Sequence, residues 1–172
     1  MKKFFPFLLL AFFALTIISC DNDDDRDYTD NDTYSVVLDI KNESFTYDKD
    51  LGYVIHKSFT NPLYNSDVVL IYRQSGTDNG NPIWQQIPRT LYLNQGELDY
   101  DFDFTINDIA IYAGGNYDIS TTPQFLNNQN FRVVLVPASF GRATSSAGNV
   151  DYSDYNSVIK YYNIDDSKVK TL

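Results

Sequence analysis

Four acidic side chains alternate with apolar ones in the segment ELDYDFDFT (97–105), at Glu97, Asp99, Asp101 and Asp103. In a β-strand this spacing places all four carboxylates on one face, about 7 Å from neighbour to neighbour. Because carboxylates ligate calcium, one hypothesis is a cation site, and with it a calcium-dependent enzyme on the Asp99/Asp101/Asp103 face. The favoured interpretation is a solvated face, or an edge strand whose charge prevents aggregation.

Any histidine-based chemistry would have to use His56, the single histidine of the chain. One histidine cannot build a His/Cys zinc site, because the only cysteine, Cys20, lies outside the predicted folded domain. No G-x-S-x-G nucleophile motif accompanies His56 either. We therefore interpret His56 as an ordinary strand residue, and we predict no catalytic residues, no resident cofactor and no enzyme activity.

Three aromatic residues are the candidate ligand-binding residues: Trp84, Tyr92 and Tyr112. Exposed aromatic rings stack on sugar rings or anchor a protein partner. Trp84 alternates with Ile83 in its predicted strand, so it points away from the core if Ile83 points inward. The alternative, which we favour for Trp84, is that the terminal helix or a loop covers its ring.

The thiol of Cys20 follows a stretch typical of an export signal. Lys2 and Lys3 precede an uncharged apolar run, residues 4–18, which is shorter than the roughly 20 residues that a spanning helix needs. The closing residues Ile-Ile-Ser-Cys (17–20) resemble the lipobox of bacterial lipoproteins. This resemblance implies a signal peptide over 1–19, cleavage before Cys20, and lipid attached to the Cys20 thiol as a membrane anchor.

An acidic segment, DNDDDRDYTDND (21–32), follows the cysteine, with seven Asp and one Arg. Like charges without an apolar face predict a disordered tether over residues 20–32. Acidic residues directly after a lipidated cysteine resemble the export signal of surface lipoproteins of the Bacteroidota. The resemblance implies an outer-membrane, lipid-anchored location exposed at the cell surface, and the alternative is a domain that faces the periplasm.

The rest of the chain, residues 33–172, has 16 acidic residues against 10 Lys and Arg, and the basic residues do not cluster. Phosphate neutralisation needs grouped basic residues, so nucleic acid is excluded as a partner. The candidate partners are instead the membrane, through the lipid anchor, and a polysaccharide or an envelope protein.

The elements that must position these residues are mainly strands. Short alternating or apolar runs bounded by turn residues predict eight or nine strands within 34–40, 44–48, 53–59, 67–73, 83–87, 90–93, 97–105, 109–113 and 131–136. The runs at 67–73 and 131–136 are apolar enough for central strands, and the segment 75–82 reads as a turn-rich loop.

The last element has a helical period. Tyr155, Val158, Ile159 and Tyr162 form an apolar stripe, and Ser153 is the predicted N-cap. We expect the helix to pack on a sheet. The sequence therefore predicts one β-rich domain over 33–172, an antiparallel β-sandwich of immunoglobulin-like type with a single C-terminal helix.

Four segments, WQQIP (84–88), YDFDFT (100–105), FRVVLVPA (131–138) and DYNSVIK (154–160), together look like a group of small Bacteroidota lipoproteins. That group has no established activity, so the resemblance implies location and fold only. We expect a membrane-anchored lipoprotein with a β-rich binding or envelope-structural domain. The alternatives are a carbohydrate-binding surface module that uses exposed aromatics, and the calcium-dependent enzyme on the acidic face.

Overall fold

The computed structural model describes residues 35–137 and 150–172. The signal peptide (1–19), Cys20 and the tether (20–32) lie outside the described residues, so their predicted roles stay predictions. The described residues form ten strands: β1 (Val36–Glu43), β2 (Thr46–Asp48), β3 (Gly52–Ser58), β4 (Val68–Asp78), β5 (Asn81–Ile87), β6 (Arg89–Leu93), β7 (Gly96–Phe104), β8 (Asp108–Gly115), β9 (Gln129–Val136) and β10 (Lys170–Thr171). One α-helix, α1 (Tyr155–Tyr161), lies between β9 and β10.

The strands form two five-stranded sheets, which we call sheet A and sheet B. Sheet A has the order β10-β1-β9-β4-β5, and sheet B has the order β2-β3-β8-β7-β6. Every pairing is antiparallel except that of β1 with the short β10, which is parallel. The predicted antiparallel β-sandwich with one C-terminal helix is confirmed, and each predicted strand overlaps one of β1–β9.

The main core lies between the two sheets and follows from the period-two alternation of the strands. Sheet A contributes Ile71, Phe131 and Val133, and sheet B contributes Leu98 and Ile111, all fully buried. Both predicted central strands are central, since β9 lies in the middle of sheet A and β4 lies beside it.

A second core lies on the outer face of sheet A, under α1. Tyr155 and Val158 of the helix pack against Tyr72 and Val134 of the sheet. This is why β4 and β9 are apolar on both faces. Across residues 35–137 and 150–172, none of the helices has the length and apolarity needed to span a bilayer.

The N-cap of the helix lies one residue later than predicted. The Asp154 carboxylate accepts a hydrogen bond from the Asn156 backbone N–H and is the N-cap. Ser153 instead donates its hydroxyl to Asp151, so the prediction of a Ser153 cap is wrong. An ionised carboxylate is the stronger acceptor at the positive end of a helix.

The segment 75–82 is also different from the prediction of a loop. Strand β4 continues to Asp78 and β5 starts at Asn81, so only Asn79 and Gly80 form the turn. Both turn residues have positive φ, 49° and 85°, as a two-residue hairpin requires. Pro82 is accommodated because β5 is an edge strand.

Candidate functional site

The four carboxylates of β7 point outward from sheet B, alternating with Leu98 and Tyr100, which are buried in the main core. The edge-strand interpretation is wrong, because β7 lies between β8 and β6. Hydroxyl groups on the neighbouring strands offset part of the repulsion between these carboxylates. Asp99 accepts a hydrogen bond from the Thr90 hydroxyl of β6, and Asp103 accepts one from Tyr112 of β8 at 3.0 Å.

The outer face of sheet B also carries other residues that the sequence singled out. His56 is exposed on β3 and pairs with Ala110 of β8. Tyr92 is 80% exposed on the edge strand β6. Burial and the hydrogen bond to Asp103 raise the pKa of Tyr112. Within the described ranges, no three His, Cys, Asp or Glu side chains converge closely enough to hold a metal ion.

Trp84 lies on the other sheet, away from these residues. Its register partner is Gln74, and both side chains share the outer face of sheet A with Tyr72. The helix packs on that same face and leaves the indole half-buried, with its centroid 6.2 Å from the Tyr155 ring. The helix therefore covers part of the Trp84 ring, in line with the interpretation that the sequence favours. Ile83, whose inward orientation was the condition for Trp84 to point outward, is 43% exposed, and a register shift separates the Gln74–Trp84 and Gly76–Ile83 pairs.

A guanidinium group fixes the Trp84 indole in place. The Arg132 guanidinium carbon lies 4.7 Å from the Trp84 ring centroid and 5.2 Å from that of Tyr155. Cation–π attraction at these distances stabilises the stack, more strongly where water is excluded. Arg132 therefore joins an aromatic residue of β5 to one of α1.

A buried carboxylate in turn orients Arg132. Asp39 of β1, only 5% exposed, accepts hydrogen bonds from Arg132 Nε at 2.7 Å and Nη2 at 3.0 Å. This two-point geometry fixes the plane of the guanidinium. Burial on its own lowers the pKa of Arg132, but the hydrogen bonds and charge of Asp39 and Tyr155 raise it overall.

The Tyr155 hydroxyl extends this network to the C-terminal segment. It accepts a hydrogen bond from Arg132 Nη1 at 3.1 Å and donates one to Asp166 Oδ2 at 2.8 Å. Burial, followed by the bond to Asp166, raises the pKa of Tyr155, so the hydroxyl stays protonated at neutral pH. Four linked groups from β1, β9, α1 and the segment after it thus hold the aromatic site rigidly.

Two open recesses flank this site, and Pro82, Trp84 and Arg132 line both of them. The first, about 350 Å³, we call the amide recess; its other lining includes Asn42, Gln74 and Asn130, with Asp39 and Lys41. The second, about 660 Å³, we call the acidic recess; its other lining includes Asp78, Asp154 and Asp166, with Asn81 and Asn156. Both volumes fall in the range of small-molecule sites, about 300–1,000 Å³.

The sequence pointed to Trp84 but missed its partners Arg132, Asp39 and Tyr155. A usable signal was present for the charged pair, since Arg132 interrupts the apolar run FRVVLV and Asp39 interrupts the run VVLDI. A charge within a buried strand needs a partner. Nothing in the local patterns says that these two strands are neighbours, so the pair could not be assigned.

Searches with the chain matched no protein-family model, no curated protein and no solved structure.

Proposed function

We propose that this protein is a lipid-anchored lipoprotein of the outer membrane, exposed at the cell surface, whose β-sandwich domain binds a ligand and performs no catalysis. The proposal of an anchor rests on Cys20 at the end of the lipobox-like segment and on the acidic residues after it. The proposal of binding rests on the site around Trp84.

The observation that carries the binding proposal is the fixed orientation of Trp84. Its indole lies on β5 and makes a cation–π contact with Arg132. Arg132 is in turn oriented by hydrogen bonds to Asp39 and Tyr155. A side chain that is already ordered loses little conformational entropy when a ligand binds, so such a site binds more tightly than a flexible one. The two recesses beside Trp84 give a ligand room to contact it.

The chemistry of the lining favours a carbohydrate over the other candidate ligand, an envelope protein. Arg132 lies over the Trp84 ring, and the part of this half-buried indole that stays exposed offers apolar surface to the C–H groups of a sugar ring. Amide and carboxylate groups, such as those of Gln74, Asn156 and Asp78, exchange hydrogen bonds with hydroxyl groups. Each recess combines the apolar surface of Trp84 with hydrogen-bonding side chains. Sugars need both kinds of contact, because they have apolar C–H groups as well as hydroxyl groups.

A glycan-binding assay tests this proposal with full-length protein in detergent micelles. Trp84→Ala should abolish retention on the polysaccharides that bind the unmodified protein. The matched control is Tyr92→Ala, which removes an exposed aromatic ring of sheet B and should leave retention unchanged. Binding lost in the Tyr92 variant and kept in the Trp84 variant would move the site to sheet B. Failure of every glycan would favour the envelope protein.

Because Trp84 also packs against α1, its loss could unfold the domain and remove binding for that reason. Asn156→Ala is the second variant, since this exposed side chain lines the acidic recess on the first turn of the helix. It should weaken binding while its thermal melt matches that of the unmodified protein.

The anchor has a separate test. Labelled palmitate should be incorporated into the unmodified protein and not into Cys20→Ser, which should leave the membrane fraction. Protease added to intact cells should remove the domain if it is at the cell surface. Protection of the domain until the outer membrane is broken would favour the periplasm-facing alternative.

A further inference from the structure

The amide recess and the acidic recess share three lining residues and differ in the chemistry of the others. Pro82, Trp84 and Arg132 border both, so the recesses adjoin at the aromatic stack. A ligand that contacts Trp84 can therefore extend into each recess in turn. A single sugar ring would leave one of them filled only with water.

We infer that the ligand is a linear, uncharged glycan, with successive sugar units in the amide recess and the acidic recess. This inference rests on the proposed carbohydrate-binding function. It adds the length of the ligand, its charge and the residues that contact each part.

Charge is the basis for the choice of an uncharged glycan. The acidic recess has three carboxylates in its lining, Asp78, Asp154 and Asp166. Arg132, the one cation among the described residues that line it, is already paired with Asp39. A uronic-acid or sulfated unit placed there would lose its hydration and meet like charges, which disfavours binding. The excess of acidic residues in the domain, 16 against 10 Lys and Arg over residues 33–172, adds to this repulsion.

The carboxylates are suited to hydroxyl groups instead. Asp166 already accepts a hydrogen bond from Tyr155, and Asp154 accepts hydrogen bonds from Asn156 and Ser157. Their positions are therefore fixed before the ligand arrives. Each carboxylate retains acceptor capacity, because its two oxygens together offer about four lone-pair sites. On the other side, the amide recess holds Gln74 and Asn130 in mutual contact at 3.0 Å.

Calorimetric titration with neutral glucan oligomers, from monomer to hexamer, tests the length of the site. Retention of the full-length protein on different glucans and mannans first decides which linkage is used. If the protein is retained on a mannan, the titration uses mannan oligomers in place of glucan oligomers. Affinity should rise with length until both recesses are filled and then level off. Polygalacturonate of similar length, the acidic probe, should bind at least tenfold more weakly than the neutral hexamer at low salt.

Two variants test the division of the site. Gln74→Ala changes the amide recess and Asn156→Ala changes the acidic recess. Each should weaken the hexamer about tenfold, the effect of losing one or two good hydrogen bonds. The shortest oligomer that binds should respond to one of the two variants only.

The outcomes separate the two levels of the proposal. If the monomer binds as tightly as the hexamer and Trp84→Ala abolishes the binding of both oligomers, the site binds carbohydrate, and the inference that a glycan chain occupies both recesses is wrong. If polygalacturonate binds as tightly as the neutral hexamer, the choice of an uncharged chain is wrong. If no glycan binds, or if Trp84→Ala has no effect, the proposed function fails and the inference fails with it.

Discussion

Two arginines lie on opposite faces of sheet A, and their surroundings differ. Arg132, on the outer face, has the Asp39 carboxylate as its partner. Arg73, on the inner face, donates two hydrogen bonds to the amide oxygen of Gln129 and lies 4.7 Å from the Tyr100 ring centroid. Burial lowers the pKa of Arg73 and raises that of Tyr100 to about 12. Among the described residues, Arg73 is therefore stabilised by an amide dipole and an aromatic face rather than by an ion pair.

The Asp39–Arg132 pair gives the first stability prediction. Asp39→Asn leaves a largely buried guanidinium without its anion, so we expect the free energy of unfolding to fall by about 3 kcal/mol. Urea denaturation followed by circular dichroism measures this change.

The matched control for Asp39→Asn is Asp50→Asn. Asp50 is 3.7 Å from Lys49, and both side chains are exposed. Exposed pairs contribute less than about 1 kcal/mol, so this variant should unfold almost as the unmodified protein does. Equal losses in the two variants would mean that burial adds nothing to the Asp39 pair.

Residue types alone predicted which side chains point outward and could not predict what covers them. Strand alternation separated Glu97 and Asp99 from Leu98, as observed. For Trp84, alternation placed the ring away from the main core, but its half-burial depends on α1, which is about 70 residues later in the chain. Such contacts are set by tertiary packing, on which local periodicity carries no information.

At the scale of elements, strand β8 ends in two glycines that have different surroundings. A Cβ on Gly115 would lie 2.6 Å from the carbonyl oxygen of Glu97 and 2.7 Å from Ile119 Cγ2, whereas a Cβ on Gly114 would meet nothing within 4 Å. The end of β8 approaches β7 closely only at Gly115. In the sequence both glycines directly follow the predicted strand 109–113, and no local pattern distinguishes one from the other.

Alanine substitution should separate these two glycines. Gly115→Ala must displace backbone, so we expect a loss of about 1–3 kcal/mol and a melting temperature lower by several degrees. Gly114→Ala should leave the melting temperature unchanged or slightly raised, because alanine restricts the unfolded chain. Differential scanning calorimetry on both variants checks this, and a larger loss for Gly114→Ala would contradict it.

The ends of a strand could be predicted where the alternation of apolar and polar residues is strict. The prediction was wrong where a turn sets the end of the strand. The strict alternation of 97–105 matches β7 within one residue at each end. The polar run 75–82 has the composition of a loop, although its Asn-Gly pair alone makes the turn. The residues 76–78, 81 and 82 pair across the hairpin, and Ser75 lies at the register shift. Polar composition indicates that residues are exposed to solvent, and exposed residues can still be paired strand residues. Here they form the hairpin end of β4 and β5.

At the scale of the molecule, the fold class followed from the sequence and the strand order did not. Alternation tells which face of a strand is buried and gives no information about its neighbour. The sheet order places β9 between β1 and β4, which are distant from it in sequence. Strand β10 was missed, because two residues are too short to show any period.

Buried tyrosines give a prediction for the whole domain at alkaline pH. Burial raises the pKa of Tyr72 and Tyr155, as well as that of Tyr100. In the unfolded chain a tyrosine ionises near pH 10, so above that pH the unfolded state gains stability that the folded state does not. This contribution is therefore complete below about pH 10, and the free energy of unfolding should decrease as the pH rises above it.

Urea titrations at about pH 8 and about pH 11 measure that decrease. Tyr72→Phe should be less stable at the lower pH, because it loses the hydrogen bond to the Tyr152 carbonyl oxygen, 2.8 Å long. Its further loss on going to the higher pH should be smaller than that of the unmodified protein. An identical decrease in the two proteins would show that Tyr72 does not contribute.

The parallel pairing of β1 with β10 has a mechanical consequence. The two strands pair at Leu38↔Lys170 and Asp39↔Thr171, and the Leu172 backbone N–H donates to the Asp39 carbonyl oxygen at 3.0 Å. A stretching force applied between the start of β1 and the end of β10 pulls these parallel strands in opposite directions along their own axes. The bonds between them are then loaded in shear and must break together, whereas an antiparallel pair pulled from adjacent ends would unzip one bond at a time.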